Sequence, residues 1–299
     1  MPVRDVVGKS VPRQEAREKV TGAAKFVDDI RFGKKTLLVK VLRSPHAHAK
    51  ILRIDAEAAL KVPGVKAVVT GRDMANAGRI GLYLADREVY ASERVRFVGE
   101  PVAAVAAETA DIAAEALKYI QVEYEILPGV FDPVAGAKIG KGPVIHDKPS
   151  PTDLWWQGVH CLYTRPTAGE GALLHDGLSN YACVPFIHPV AGSNVSNHFK
   201  IRKGNMEEGF AAADLIEENV FYVPHIQHCQ LENHGAVAYY DRAGNLTVWA
   251  SSQSPNAVRK ILSDGFAVPM NRIRIISAYV GGGFGGKAGV TTECLVVPL

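Results

Sequence analysis

A strand-like run over 273–280 leads directly into Gly281, Gly282, Gly283, Phe284, Gly285, Gly286 and Lys287. Five glycines within seven residues constrain the fold more than any other stretch of this chain. An ordered glycine forfeits more conformational freedom than any other residue, costing about 0.5–1 kcal/mol relative to alanine. A plain turn needs one or two of them, so a ligand-free tight turn is the costlier reading. A cluster implies a backbone that passes close to a neighbour, adopts positive φ and presents bare N–H groups to anionic oxygen. The sequence therefore predicts an oxyanion-rich ligand beside this loop.

Two nucleotide patterns fit the spacing. Gly281, Gly283 and Gly286 satisfy G-x-G-x-x-G, and Gly281 with Gly286 and Lys287 satisfies G-x-x-x-x-G-K. Any five-glycine cluster meets such patterns easily. The phosphate-loop reading needs a Ser or Thr after the lysine, and Ala288 stands there. The dinucleotide reading needs an acidic residue about 20 positions on, and only twelve residues follow Lys287.

Upstream, strand and helix patterns alternate. Strands are expected over 37–42, 50–54, 65–70, 102–107 and 120–124, with a short helix over 55–60 capped by Asp55. A second helix is expected from a Thr109 cap to about Tyr119. From about 131 to 197 the pattern dissolves into a Gly-, Pro- and Asn-rich stretch holding Trp155 and Trp156. A helix over 206–213 and an extended edge over 214–222 follow. The runs 236–240 and 246–250 flank Gly244 as a hairpin, and Ser254 and Pro255 open a helix to about Gly265. The organisation expected is an arm over 1–20, a domain of strands and helices over 21–130, a linker with an inserted segment over 131–197, and a second domain over 198–299.

The net charge of +3 argues against nucleic acid, and no apolar run approaches the roughly 18 residues of a membrane span. The charged N-terminus lacks an apolar signal core. Cys161, Cys183, Cys229 and Cys294 form no C-x-x-C pair, so a zinc or iron–sulfur site is not expected within the chain. Their wide spacing favours reduced thiols and a cytoplasmic location.

Several further segments, in order, carry a resemblance. Lys19 to Asp29 (KVTGAAKFVDD), Arg43 to Ala49 (RSPHAHA) and Val95 to Val102 (VRFVGEPV) precede Lys203, Gly204 and Asn205, then Gln227, His228, Leu231 and Glu232, then Ser252 and Gln253, then the glycine loop. With these residues the chain resembles the molybdenum-cofactor subunit of the xanthine oxidase family of molybdenum hydroxylases. The likeness is collinear over most of the chain, with 149–197 left as an insertion. It implies an α+β fold: a hammerhead-like domain followed by the first, incomplete part of a molybdopterin-binding domain. Lys203-Gly204-Asn205 stands where the family usually has Lys-Gly-Asp.

The resemblance implies that Gly282, Gly283, Phe284, Gly285 and Gly286 approach the cofactor, with Phe284 beside the metal and Gly285 presenting its N–H. Gln253 would hydrogen-bond an oxygen ligand of the metal. The metal itself would be held by the pterin, with none of its ligands from protein side chains, so His228 and Glu232 are expected to be structural. His46 and His48 are expected to be packed as well. The cofactor implied is molybdenum–molybdopterin, with a cytosine dinucleotide form as one option. [2Fe-2S] and FAD are expected on partner subunits.

The implied reaction oxidises an aromatic heterocycle, aldehyde or similar electron-poor carbon with water as oxygen source. A reductase acting on an aromatic acyl-thioester and a non-catalytic assembly subunit of the same fold stay open, as does a nucleotide-binding enzyme. Two departures matter. Purine-oxidising members carry a Glu where Ala288 stands, which turns the expectation away from purines. The family's general-base Glu lies in a Gly-x-Gly-Glu segment that this sequence does not contain. A second polypeptide, or the C-terminal half of the same subunit, is expected to complete the site, and the chain alone is expected to be inactive.

Overall fold

The computed structural model describes residues 8–30, 32–33, 36–82, 85–138, 142–145, 193–195 and 203–299. Apart from 193–195, the expected insertion over 149–197, with Trp155, Trp156, Cys161 and Cys183, lies outside the described residues.

The N-terminal part begins with α1 (Ala16–Val20) and continues through β1 (Leu38–Arg43), β2 (Ala49–Asp55), α2 (Glu57–Leu60) and β3 (Val65–Thr70). Then come β4 (Arg94–Val95), β5 (Pro101–Ala107), α3 (Ala110–Leu117), β6 (Gln121–Ile126) and α4 (Pro133–Gly136). Two antiparallel sheets result, ordered β1-β5-β3 and β4-β2-β6. The middle strand β5 is buried on both faces, with every residue from Val102 to Ala107 at most 1% exposed. Its alanines leave room for α3, whose Ala113 and Ala116 pack against Ala103, Val105 and Ala107. Thr109 caps α3 as expected, its side chain accepting the Ile112 N–H at 3.2 Å. The cap of α2 differs from expectation: Ala56 holds the N-cap position, and Asp55 Oδ1 accepts the Glu57 N–H from one residue further back.

The C-terminal part comprises α5 (Met206–Ala211), β7 (Ala236–Tyr240), β8 (Leu246–Ala250), α6 (Pro255–Phe266), β9 (Ile273–Ser277) and α7 (Glu293–Val296). The β7–β8 hairpin turns at Gly244, which has φ +80°. Helix α6 carries the chain from β8 to β9, so these two strands pair in parallel. The helix buries Val258, Ile261, Leu262 and Gly265, the i, i+3, i+4, i+7 stripe of an amphipathic helix. Two of the expected lengths are corrected. The helix from 206 ends at Ala211, and β9 ends at Ser277 rather than 280, because the chain must leave the sheet to enter the glycine loop. The stretch 214–222, expected to form an extended edge, has no strand partner among the described residues.

One core joins the two parts. Val69, Ile80, Val89, Tyr90 and Ala104 pack with Leu246, Val248, Val258, Ile261, Leu262, Cys294 and Leu295. The buried Tyr90 hydroxyl donates to the Leu295 carbonyl at 2.6 Å. Gly78 lies against Gly265, with an N–H···O=C bond of 2.8 Å between them. A Cβ on Gly78 would sit 2.7 Å from the Asp264 carbonyl oxygen, so the approach requires glycine there. The Glu18 and Lys25 stretch lies along the strand exit, where Tyr279 hydrogen-bonds the Glu18 carboxylate through its hydroxyl and the Lys25 carbonyl through its N–H.

Candidate functional site

The parallel pairing of β8 and β9 sets Ala250 beside Ser277 at their carboxyl ends. The loops that leave these ends, 251–254 and 278–287, therefore meet. Crevices beyond the carboxyl ends of parallel strands are common ligand sites. The loops are tied by the Ser277 hydroxyl donating to the Ser252 carbonyl at 2.9 Å and the Gln253 N–H donating to the Lys287 carbonyl at 2.9 Å.

Gln253 is the residue around which the glycine loop closes. Its Oε1 accepts the N–H groups of Gly285 at 3.1 Å and Lys287 at 3.2 Å. A Cβ on Gly283 would fall 2.4 Å from both Cδ and Oε1 of this side chain. The amide occupies the space a Cβ at 283 would take, so any larger residue there must displace the Gln253 side chain. The Gly285 N–H, expected to face a ligand, is bonded to Gln253 instead, because the loop's own amide oxygen reaches it first. With Oε1 so held, the exposed Nε2 has no partner among the described residues. The N–H groups of Gly282, Gly283 and Phe284 likewise have no acceptor among them.

Gly282 and Gly285 adopt φ of +96° and +91°, the left-handed region that glycine enters without a Cβ clash. Phe284 adopts +50° with no such licence. An aromatic residue held there and left 72% exposed is a strained, outward-facing group of the kind that gathers at ligand sites.

Behind the loop, alternate side chains of 228–232 face it. A Cβ on Gly286 would lie 3.2 Å from the His228 ring, one on Gly282 would lie 3.3 Å from Gln230 Cβ, and one on Gly281 would lie 2.6 Å from Glu232 Cβ. Glu232 Oε2 accepts three donors: the Ser251 hydroxyl at 2.7 Å, the Gly281 N–H at 2.7 Å and the Lys287 ammonium at 2.8 Å. The Lys287 side chain is fully buried, and its Nζ also donates to the Glu232 carbonyl at 2.8 Å. Burial pushes the Glu232 carboxyl up, but the bonds from Lys287, Gly281 and Ser251 prevail and hold it below the usual carboxylate range. Lys287 thus points inward and props the loop. An ammonium enclosed in this way cannot reach a bound phosphate, which removes the phosphate-loop reading on geometry.

The sequence pattern gave no sign of one arrangement. Gln230 Nε2 lies 2.8 Å from His234 Nε2, and His234 Nδ1 lies 2.9 Å from Thr291 Oγ1. Thr291 donates through both N–H and hydroxyl to Glu293 Oε2, at 2.7 and 3.3 Å. If the threonine proton goes to Glu293, His234 carries its proton on Nδ1 and accepts from Gln230 on Nε2. Burial and the Lys287 charge hold the His234 imidazole below its ordinary value. Burial pushes the Glu293 carboxyl up. Thr291 and Thr292 stand directly before α7, where side-chain oxygens commonly cap a helix, but Thr292 makes no side-chain cap bond and Thr291 donates to Glu293 instead.

Other expected residues occupy packing positions. The His46 ring meets Tyr124 edge-on at 4.9 Å, and His48 Nδ1 contacts the Pro128 carbonyl at 2.7 Å. Asn205 caps α5, accepting the N–H groups of Glu207 and Glu208. Asn and Asp serve nearly equally as caps, so this role survives the exchange at that position.

The donor set fits an oxygen-rich metal–pterin group. Uncommitted backbone N–H groups, a side-chain amide with its donor end outward and an exposed aromatic ring meet on one rim. Among the described residues no carboxylate takes the free donors, and that of Glu232 is held behind the loop. Residues 21–128 match the family model described as the aldehyde oxidase and xanthine dehydrogenase a/b hammerhead domain, and 187–299 match the molybdopterin cofactor-binding domain. The chain is 34% identical to a probable xanthine dehydrogenase subunit of Bacillus subtilis, over 92% of this chain and 31% of that protein. It is 30% identical to the nicotinate dehydrogenase large molybdopterin subunit of Eubacterium barkeri, over 97% of this chain and 57% of that protein. Quinoline 2-oxidoreductase from Pseudomonas putida 86 superposes with a TM-score of 0.71 at 27% identity, covering 97% of this chain and 33% of the other. The chain therefore spans about a third to just over half the length of these relatives. With a hammerhead domain and part of a molybdopterin-binding domain in one α+β chain, this protein belongs to the xanthine dehydrogenase family of molybdenum hydroxylases.

Proposed function

We propose that this chain supplies one wall of the active site of a multi-subunit molybdenum hydroxylase. The observation that carries the reading is the Gln253 amide. Its oxygen is fixed by two loop N–H groups while its nitrogen is free and exposed. A fixed donor beside open backbone N–H groups suits oxygen ligands on which negative charge grows during reaction. Donors aimed in this way are typically worth about 3–4 kcal/mol in the transition state. When bound, the molybdenum–molybdopterin group supplies the two-electron redox chemistry for oxidising an electron-poor carbon. Gln253 Nε2 hydrogen-bonds an oxygen ligand, Gly282 and Gly283 let the backbone approach the pterin, and Phe284 gives the substrate an apolar face.

The substrate class proposed is an aromatic heterocycle or aldehyde rather than a purine, since Ala288 offers no anchoring carboxylate. A second polypeptide, or the remaining part of the large subunit, provides the general base. Iron–sulfur and FAD subunits carry electrons away, and the pterin is either the plain or the cytosine dinucleotide form. The assembly is placed in the cytoplasm, on the wide spacing of this chain's four cysteines. The test is co-purification of the chain with the polypeptide that completes the subunit, followed by metal analysis and pterin fluorescence. The reading predicts bound molybdenum and pterin, with turnover lost in Gln253→Ala. An assembly that forms without either component refutes it.

A further inference from the structure

The chain enters the glycine loop through residues that no strand supports. Strand β9 keeps its pairing with β8 only as far as Ser277. Ala278, Tyr279 and Val280 then lead to Gly281. Their support comes from the other end of the chain. The Tyr279 N–H donates to the Lys25 carbonyl at 3.3 Å. The Tyr279 ring lies 6.2 Å from that of Phe26, tilted 53° to it, a separation at which aromatic pairs attract. Its hydroxyl bonds the Glu18 carboxylate, and Lys19 Nζ stands 5.5 Å from the ring centre. A Cβ on Gly281 would meet Phe26 Cε1 at 3.5 Å, so the Phe26 ring abuts the first residue of the loop.

The same segment reaches the root of the second site loop. A Cβ on Gly235 would lie 3.4 Å from Val27 Cγ1 and 3.5 Å from Asp28 Oδ1. The Gly235 carbonyl accepts the Ser251 N–H at 3.0 Å, and Ser251 opens the loop that carries Gln253. The segment is itself fixed. Ala24 and Val27 are buried, the Ala24 N–H donates to the Glu18 carbonyl at 3.0 Å, and the Phe26 N–H donates to Asp29 Oδ2 at 3.0 Å. The Gln253 amide depends on both roots. Its side chain leaves from one loop, and its oxygen is held by two N–H groups of the other. A shift of either root turns the amide.

We propose that residues 18–29 brace the roots of both site loops, and that Phe26 and Tyr279 are positioning residues for the Gln253 amide. The consequence for the reaction rests on the reading that Gln253 Nε2 bonds an oxygen ligand of the cofactor. A misdirected donor loses an interaction made in the transition state, which lowers kcat and leaves KM in place.

The test uses Phe26→Ala, Tyr279→Ala and Tyr279→Phe, with Asp73→Ala as the control. The control removes the acceptor of the Thr70 N–H and hydroxyl, bonds that lie outside the brace and both loops. Tyr279 is half-buried, so its variants serve where Phe26→Ala does not fold. In the full chain, exchange of the Gly285 and Lys287 amides should quicken by about tenfold or more in both alanine variants. Tyr279→Phe keeps the ring and should restore most of the protection, and Asp73→Ala should leave it unchanged. In the completed enzyme, kcat per bound molybdenum should fall by about tenfold or more in the alanine variants, with KM within about twofold. Unaltered exchange in both alanine variants, equal quickening in Asp73→Ala, or an unchanged kcat per molybdenum would overturn the proposal. Quickened exchange in a completed protein without molybdenum defeats the cofactor reading and leaves the brace standing. Bound molybdenum with unaltered exchange does the reverse.

Discussion

Replacing Lys287 with Met should destabilise the chain far more than a surface lysine would. The ammonium is fully buried and donates at 2.8 Å to both the carbonyl and Oε2 of Glu232. Removing it leaves Glu232 with the Ser251 hydroxyl and the Gly281 N–H as its remaining donors. Breaking a buried pair from one side costs about 3–5 kcal/mol, against about 0–1 kcal/mol for an exposed pair. The Glu232 side chain keeps 16% of its exposure, so the lower end, about 3 kcal/mol, is expected. Urea unfolding at pH 7 of the wild type, Lys287→Met, Glu232→Gln and the double variant measures this. The single effects should fail to add by at least about 1 kcal/mol, as for groups in direct contact. The pH dependence has a definite sign. The Glu232 carboxyl is lowered in the folded state, so its contribution is present above the unfolded value and lost as pH falls through the folded one. The variant has already lost most of that contribution, and its gap from wild type should narrow on acidification. A loss below about 1 kcal/mol, simple additivity, or a gap that widens in acid would refute the pairing.

Three further outcomes follow from the same geometry. Gly283→Ala should displace the flexible Gln253 side chain at small cost in stability, since its Cβ would fall 2.4 Å from Cδ. Exchange of the Gly285 and Lys287 amides should then quicken by about tenfold or more, and unchanged exchange would contradict the contact. The buried Glu293 carboxyl is raised by desolvation, so its share of stability is full below the unfolded value and lost as pH rises through the folded one. Glu293→Gln should flatten that part of the stability–pH curve, and an unaltered slope there would show that Glu293 does not titrate in this way. With Cys161 and Cys183 changed to Ser, a native-state thiol reagent should label exposed Cys229 and spare Cys294, which is buried with its thiol pushed up to about 12. Equal labelling of the two would overturn this placement.

The local elements were readable because short-range chemistry sets them. Thr109 before an alanine-rich helix, Gly244 between two strand runs and the four-residue stripe of α6 each declare their element within a few residues. The glycine cluster likewise announced a close backbone approach. What the backbone approaches was not readable. The pairs Glu232–Lys287 and Gln253–Gly285 join residues 55 and 32 positions apart, and no periodicity records such separations. The resemblance assigned the Gly285 N–H outward, whereas packing gave it to Gln253.

Residue types and order therefore determined the class of fold, the family resemblance and the loop that matters. Only the tertiary structure decided the direction each group faces. It turned Lys287 inward and the Gln253 nitrogen outward, because a buried charge must find a partner and an amide oxygen ringed by N–H groups leaves its other end free. It also left Val220 to Val223 open on both sides, a state that composition marks as apolar but only accessibility marks as uncovered.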